Sequence, residues 1–132
     1  MTALFLVALP AAGAEWIQIG IDAEKNSWMV DIASLQRDGD LVRAWKKTEF
    51  AVPKPYPPNE KLISSMLFLD VTNCTKRLVG VKASKLFAAD GTTIAAHEDP
   101  DDRIQWQSVA SDTVIEKAMQ FVCDKSRSQG VH

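Results

Sequence analysis

Apolar and polar residues alternate along most of the chain, and the period changes near its C-terminus. Alternation places every second side chain on one side of the backbone, which predicts half-buried β-strands. The alternating segments are Trp16–Ile21, Trp28–Val30, Leu41–Phe50, Lys61–Asp70, Arg77–Phe87 and Thr92–Ala96. Apolar residues then recur at helical spacing at Val114, Ile115, Ala118, Met119 and Val122. Strands first and one helix last predict an α+β domain, with the helix covering one face of a sheet of about six strands.

Turn and capping residues lie between these segments. Asp-Gly pairs at 38–39 and 90–91 supply the backbone angles of a tight reversal. Asp31 is expected to cap a single helical turn that follows it, and Ser111 or Asp112 is expected to cap the terminal helix.

A proline-rich segment runs from Val52 to Asn59. Proline lacks the N–H that a β-ladder needs, so we expect an extended loop that connects two strands. A recognition motif for proline-binding domains is the alternative.

The first fourteen residues carry no charge. A short apolar run at Ala3–Leu9, then Pro10, then Ala12-Gly13-Ala14, matches the apolar region and cleavage site of a secretory signal peptide. A bilayer span needs roughly 20 apolar residues, so we expect no membrane span. We expect a cleaved signal peptide at 1–14, a domain at 15–124 and a flexible tail at 125–132. A buried N-terminal strand is the alternative, because no Lys or Arg precedes the apolar run.

Cys74 and Cys123 are the only cysteines. In an oxidising compartment a small, even number of cysteines favours a structural disulfide. Two free core thiols and part of a metal site are the alternatives. The spacing is not that of a zinc site, and only His97 and His132 are available as histidine ligands.

Charge and composition limit the classes of partner. The 132 residues are 46% hydrophobic and 24% charged, which fits one folded domain. The formal net charge of -2 gives no basic field for nucleic acid, and it does not favour an anionic membrane surface.

Motifs for catalysis are missing from the sequence. A nucleophile needs a neighbouring base, and His97 is the only histidine inside the predicted domain. We interpret His97 as a surface or capping residue. No glycine-rich phosphate loop or metalloprotease motif is present, and the acidic residues Asp99–Asp102 do not have the spacing of a twelve-residue calcium loop. We therefore expect no enzyme activity, no cofactor and no metal.

Four tryptophans in a chain of this length are unusual. Tryptophan fills cores and also forms hot spots at interfaces. Trp45 lies among Arg43, Lys46 and Lys47, and these four residues are the candidate binding surface that the sequence favours. A solvated strand face is the alternative.

The ordered set of Trp, Asp and Cys positions resembles the surface-adhesin protein E family of Gram-negative bacteria. The matching positions are Trp16, Trp28–Asp31, Ser34, Val42–Lys47, Asn73–Cys74, Arg77, Asp90–Gly91, Trp106, Ser111, Val114 and Val122–Cys123.

The resemblance implies one antiparallel sheet with the helix tied to it by a Cys74–Cys123 bridge. It also implies a cell-surface protein that binds extracellular proteins and forms dimers. The chain lacks the lipid-attachment cysteine, so a periplasmic or secreted location is an alternative to surface display. The resulting hypothesis is an exported binding module for an extracellular or envelope protein. The alternative is an envelope accessory protein that acts by dimerising.

Overall fold

The computed structural model describes residues 13–57 and 60–127. Ten of its elements are strands or single 3-10 turns, and the last is a helix. In chain order they are β1 (Trp16–Ile21), β2 (Ser27–Asp31), a 3-10 turn (Ile32–Ser34), β3 (Gln36–Asp38), β4 (Leu41–Tyr56), β5 (Lys61–Asn73), β6 (Leu78–Phe87), β7 (Thr93–Glu98), a 3-10 turn (Asp101–Arg103), β8 (Gln107–Ser108) and α1 (Val114–Lys125).

All strands join one antiparallel sheet of eight strands. Six of them lie in the order β1-β2-β4-β5-β6-β7, while β3 pairs with β4 and β8 pairs with β6. This confirms the α+β prediction and corrects the number of strands. The two missed strands have three and two residues, which is too short to show alternation.

The two faces of the sheet are set by alternation along β4. Val42, Ala44 and Thr48 are buried on one side, whereas Arg43 and Trp45 are half-buried on the other. Val122 of α1 clusters with Val42 and Ala44, so the helix packs on their side. We call this side, which also carries Lys46, the helix face. The opposite side, with Arg43, Trp45 and Lys47, is the open face.

The helix end is bonded covalently to the sheet. Cys74 and Cys123 form a disulfide with sulfurs 2.06 Å apart and Cα atoms 5.9 Å apart, which confirms the predicted pairing. Both cysteines are partly buried and pack against the core cluster that contains Val42, Ala44 and Val122. The predicted stripe is confirmed at Ala118, Met119 and Val122, which are buried.

The N-cap of α1 is Thr113, and the prediction of Ser111 or Asp112 is wrong by one or two residues. Thr113 Oγ1 accepts from the Glu116 N–H at 3.1 Å, and Glu116 Oε1 accepts from the Asp112 N–H at 2.9 Å. The Thr-x-x-Glu sequence is a capping-box signature, so the signal was present in the sequence. By contrast, Asp31 caps its turn as predicted, accepting from the Ala33 N–H at 3.0 Å.

The proline-rich segment is a strand up to Tyr56, so the prediction of a loop from Val52 is wrong there; Pro58 and Asn59 lie outside the described residues. Pro55 pairs with Leu62 after an irregularity in the ladder. Pairing of β2 with β4 ends at Glu49, so the prolines lie on a strand edge with no neighbour that needs their N–H. This end of β4 and the start of β5, which pair from Lys54–Ile63 to Tyr56–Lys61, form a two-stranded arm.

The termini are described only in part. The predicted signal peptide lies outside the described residues except for 13 and 14. Of the predicted tail, residues 125–127 are described. Lys125 ends α1, and Ser126 is buried, with its Oγ accepting from Arg37 at 3.2 Å. Within the described ranges, no helix is long and apolar enough to cross a membrane.

Gly80 in β6 allows the segment after β7 to approach the sheet. A Cβ built at Gly80 would collide with Ile104 Cγ2 and lie 3.2 Å from the Gln105 carbonyl oxygen. We expect Gly80→Ala to lower the free energy of unfolding by about 1–3 kcal/mol, because backbone at 104–105 must move. Urea denaturation measures the change.

Gly20→Ala is the matched control for this prediction. Gly20 is also a strand glycine, and its Cβ would meet Val114 at 3.4 Å, an ordinary contact. Equal stabilities of the two variants would contradict the steric role of Gly80.

Candidate functional site

Three of the four predicted binding residues lie together on the open face. Arg43, Trp45 and Lys47 are alternate residues of β4, so their side chains leave the same side of the sheet. The Arg43 side chain is 37% exposed and the Lys47 side chain is 27% exposed, so both charged side chains are partly accessible to solvent. These residues form a cationic strip with an aromatic side chain at its centre.

Lys46 does not join this surface. It lies on the helix face, where its side chain is 4% exposed and its Nζ lies 2.8 Å from Asp70 Oδ2. Alternation along β4 requires this placement, because Lys46 has the same parity as the buried Val42 and Ala44. The structure therefore separates Lys46 from Arg43, Trp45 and Lys47.

Neighbouring strands add apolar residues to the strip. Trp45 pairs with Leu69, and Lys47 pairs with Leu67 of β5, while Leu67 in turn pairs with Lys85 of β6. Directly paired residues in an antiparallel sheet share one face, so these side chains continue the open face across three strands. Because the helix lies on the other side, this part of the sheet is not covered by α1.

Trp16 completes the open face at its β1 edge. Lys47 Nζ lies 4.6 Å from the centroid of the Trp16 ring, within the range of a cation–π contact. Sequence reasoning missed this contact because Trp16 and Lys47 lie far apart in the chain and meet only through the β1-β2-β4 strand order. The four residues Trp16, Arg43, Trp45 and Lys47 are the candidate site as the structure forms it.

Asp101 orders one border of the open face. Its carboxylate lies 2.9 Å from Lys82 Nζ and 3.2 Å from Arg43 Nη2. The Lys82 hydrogen bond, followed by the one from Arg43, lowers the pKa of Asp101 below its usual value. Asp101 therefore remains ionised at neutral pH and holds Arg43 in position, although such exposed pairs contribute little to stability.

Trp28 has a structural environment on the helix face. Its indole N–H donates to Asp22 Oδ2 at 2.9 Å, and its ring meets Phe68 edge-on with centroids 6.0 Å apart. The hydrogen bond from Trp28 is the main cause that lowers the pKa of Asp22. Trp28 is thus a half-buried residue of the helix face, with its indole N–H paired as is usual for a tryptophan in the fold.

A family model for surface-adhesin protein E matches residues 16–124, which is nearly the whole described chain. The chain belongs to the surface-adhesin protein E family. The resemblance noted from the Trp, Asp and Cys positions is thereby confirmed.

Solved structures of Haemophilus influenzae protein E share the fold of this family member. One has a TM-score of 0.54 and 14% identity, covering 83% of this chain and 83% of that chain. A selenomethionine form has a TM-score of 0.55 and 15% identity, covering 83% of this chain and 85% of that chain. Protein E from a non-typeable strain has a TM-score of 0.54 and 14% identity, and the match covers 92% of this chain and 82% of that chain. No curated protein is detectably similar in sequence.

Membership in the surface-adhesin protein E family supports an adhesin-like binding role. His97 is exposed, and its Nε2 lies 2.8 Å from Asp99 Oδ1, which fits the predicted surface position. Within residues 13–57 and 60–127, no group of three His, Cys, Asp or Glu side chains is arranged to hold a metal ion.

Proposed function

We propose that this adhesin-family protein is an exported, non-enzymatic module that binds an extracellular or envelope protein through its open face. The observation that supports the proposal is the convergence of Trp16, Trp45, Arg43 and Lys47 on the side of the sheet that α1 leaves uncovered. Tryptophan and arginine are among the residues enriched at interface hot spots.

The chemistry of the open face specifies its partner. Two partly exposed cations, Arg43 beside Asp101 and Lys47 with its Nζ 3.9 Å from Glu49 Oε2, flank half-buried aromatic and leucine side chains. A complementary surface therefore carries carboxylates around an apolar centre. The cations steer association and set specificity, whereas burial of the apolar centre supplies most of the affinity. The partner is therefore an acidic protein surface with exposed apolar residues.

Export is supported by the uncharged apolar segment at 1–14 and by the Cys74–Cys123 bridge. A structural disulfide persists in the periplasm or outside the cell and is rare in the cytosol. Surface, secreted and periplasmic locations all satisfy this requirement. Mass spectrometry of the protein from its native host tests cleavage before Glu15.

Reversing the charge of the open face tests the proposed interface. We expect the double variant Arg43→Glu/Lys47→Glu to weaken binding to acidic extracellular-matrix and envelope proteins by about tenfold or more, because complementary charge becomes repulsion. Biolayer interferometry at two salt concentrations measures the loss and its screening.

Lys76→Glu is the control for charge reversal away from the strip, with half the charge change of the double variant, since Lys76 is exposed in the turn between β5 and β6. Binding of wild type and both variants with the same affinity would contradict the open-face proposal. Failure of every tested protein to bind at micromolar concentration would contradict the binding function itself.

The alternative function, an envelope accessory protein that acts by dimerising, is favoured by the edge strand β1. Ile17 and Ile21 on this strand are 37% and 57% exposed, and an edge strand can pair with a second copy. Sedimentation equilibrium of the mature chain separates the two functions.

A further inference from the structure

A second surface feature, on the helix face, is an apolar groove. The helix packs over the β1 and β4 side of the sheet, and Val114 lies close to Gly20. The β5 and β6 side is left as a groove of about 490 Å³. One wall is α1, the other is the segment 99–107, and the floor is formed by Met66, Phe68, Val79 and Val81.

The exposure of two residues that line the groove shows that it is open to solvent. Val81 on the floor is 44% exposed, and Ile115 on the helix wall is 40% exposed. Both are large apolar side chains that gain free energy when covered. The volume lies within the range of pockets for small molecules, roughly 300–1,000 Å³.

A buried ion pair also lines this groove. Lys46 and Asp70 have side chains 4% and 7% exposed, and their charged atoms are 2.8 Å apart. The second carboxylate oxygen, Asp70 Oδ1, is buried and has no hydrogen-bond partner among the described residues. An acceptor left without a donor in a buried position is destabilising, so a donor from a ligand would be favourable there.

The pair offers a ligand both an acceptor and a donor. Asp70 Oδ1 accepts, and the Lys46 ammonium carries three N–H groups, for which Asp70 is the partner found within the described residues. A primary amide matches this arrangement, because its N–H donates to the carboxylate while its C=O accepts from the ammonium. The two opposite charges at one point disfavour a charged ligand of either sign.

We propose that this groove binds a small, uncharged, largely apolar molecule whose polar end both donates and accepts a hydrogen bond, as a primary amide does. The apolar body covers Phe68, Val81 and Ile115, and the polar end meets Lys46 and Asp70 at the floor. The groove lies on the opposite face from the proposed protein-binding surface, so the two proposals are independent.

Para-ethylbenzamide is the probe, titrated into the full mature protein and followed by backbone amide shifts in NMR. We expect the largest shifts at Val81, Ser84 and Ile115. Its N,N-dimethyl derivative accepts but cannot donate, and para-ethylbenzoate is an anion. We expect both to bind about tenfold more weakly, the size of effect that one well-placed hydrogen bond gives.

Two sets of variants test how the helix wall and the polar floor of the groove each contribute to binding. Ile115→Glu is expected to abolish binding of all three compounds, whereas Val52→Glu on the two-stranded arm, where Val52 is 72% exposed, is the matched control and leaves binding unchanged. In the double variant Lys46→Met/Asp70→Leu, the benzamide and its dimethyl derivative are expected to bind within twofold of each other.

Two results would overturn the proposal. One is the absence of localised shifts with any of the compounds, and the other is equal affinity of the amide and dimethylamide for the wild-type protein. If only capped apolar peptides shift these residues, the groove is a peptide site and the small-molecule proposal is wrong. Should the double variant fail to fold, the wild-type comparison and Ile115→Glu still decide.

Discussion

Replacing Cys74 and Cys123 together with alanine is expected to lower the free energy of unfolding by about 4 kcal/mol. The two residues are 49 apart in sequence, and a bridge across such a loop removes much of the freedom of the unfolded chain. A domain of this size has a total stability of about 5–15 kcal/mol, so the loss is a large part of it. Urea denaturation monitored by circular dichroism measures the change.

Two controls accompany this variant. Chemical reduction of the wild-type protein should reproduce most of the loss, because it opens the same loop without removing side-chain volume. Hydrogen exchange should show earlier opening of α1 at Ala118 and Val122, since the bridge ties the helix end to the sheet. A loss below about 1 kcal/mol, or unchanged protection of α1, would mean that packing alone holds the helix.

The order of the elements was predictable because each depends on a short, local pattern. Alternation along Leu41–Phe50 placed Val42 and Ala44 on one face, and the structure confirms that face as the core. Helical spacing at Ala118, Met119 and Val122 likewise identified the buried stripe of α1. Two cysteines allow a single intramolecular pairing.

The prolines show where local reasoning fails. A missing N–H excludes Pro53 and Pro55 from the interior of a sheet, but it has no cost on an edge without a neighbour. That edge exists because β2 ends opposite Glu49, and the length of one strand relative to another is a tertiary property. Sequence patterns do not specify it.

The candidate site was predictable only in part for the same reason. Arg43, Trp45 and Lys47 share a face by simple alternation, whereas Trp16 joins them through the order of three strands. Lys46 was grouped with them by proximity in sequence, although its parity places it in the core.

The helix-face groove was not predictable from any motif. It depends on where the segment 99–107 lies relative to α1, and that path is set by contacts such as Ile104 against Gly80. Its polar floor joins residues of two strands, Lys46 of β4 and Asp70 of β5.

Breaking the Lys46–Asp70 pair is the second change with a large expected effect. Lys46→Met and Asp70→Leu are each expected to lower the free energy of unfolding by about 3–5 kcal/mol, because each leaves one buried charge without its partner. The double variant Lys46→Met/Asp70→Leu should be close to wild type or more stable, since apolar side chains of similar volume need no desolvation of charge. Urea denaturation of the three variants forms a double-mutant cycle.

The dependence on pH distinguishes the two single variants. Burial raises the pKa of Asp70 above its ordinary value of 3.8, and the Lys46 ammonium opposes that rise. In Lys46→Met the opposing charge is lost, so the folded state binds the Asp70 proton more tightly than the unfolded state does. The free energy of unfolding of Lys46→Met should therefore decrease as pH rises from 3.8 through the raised pKa of Asp70. It should recover toward the wild-type value in acid.

In Asp70→Leu the unpaired group is a lysine, and taking up a proton gives this side chain its charge and does not remove it, so the loss of stability of this variant should persist in acid. Urea midpoints of both variants, each compared with wild type between pH 3 and pH 7 at about 0.1 M salt, measure the difference. Parallel curves for the two variants would contradict a charged, buried pair at this position. Recovery in acid of Lys46→Met alone is the expected signature, because only a carboxylate can discharge by taking up a proton.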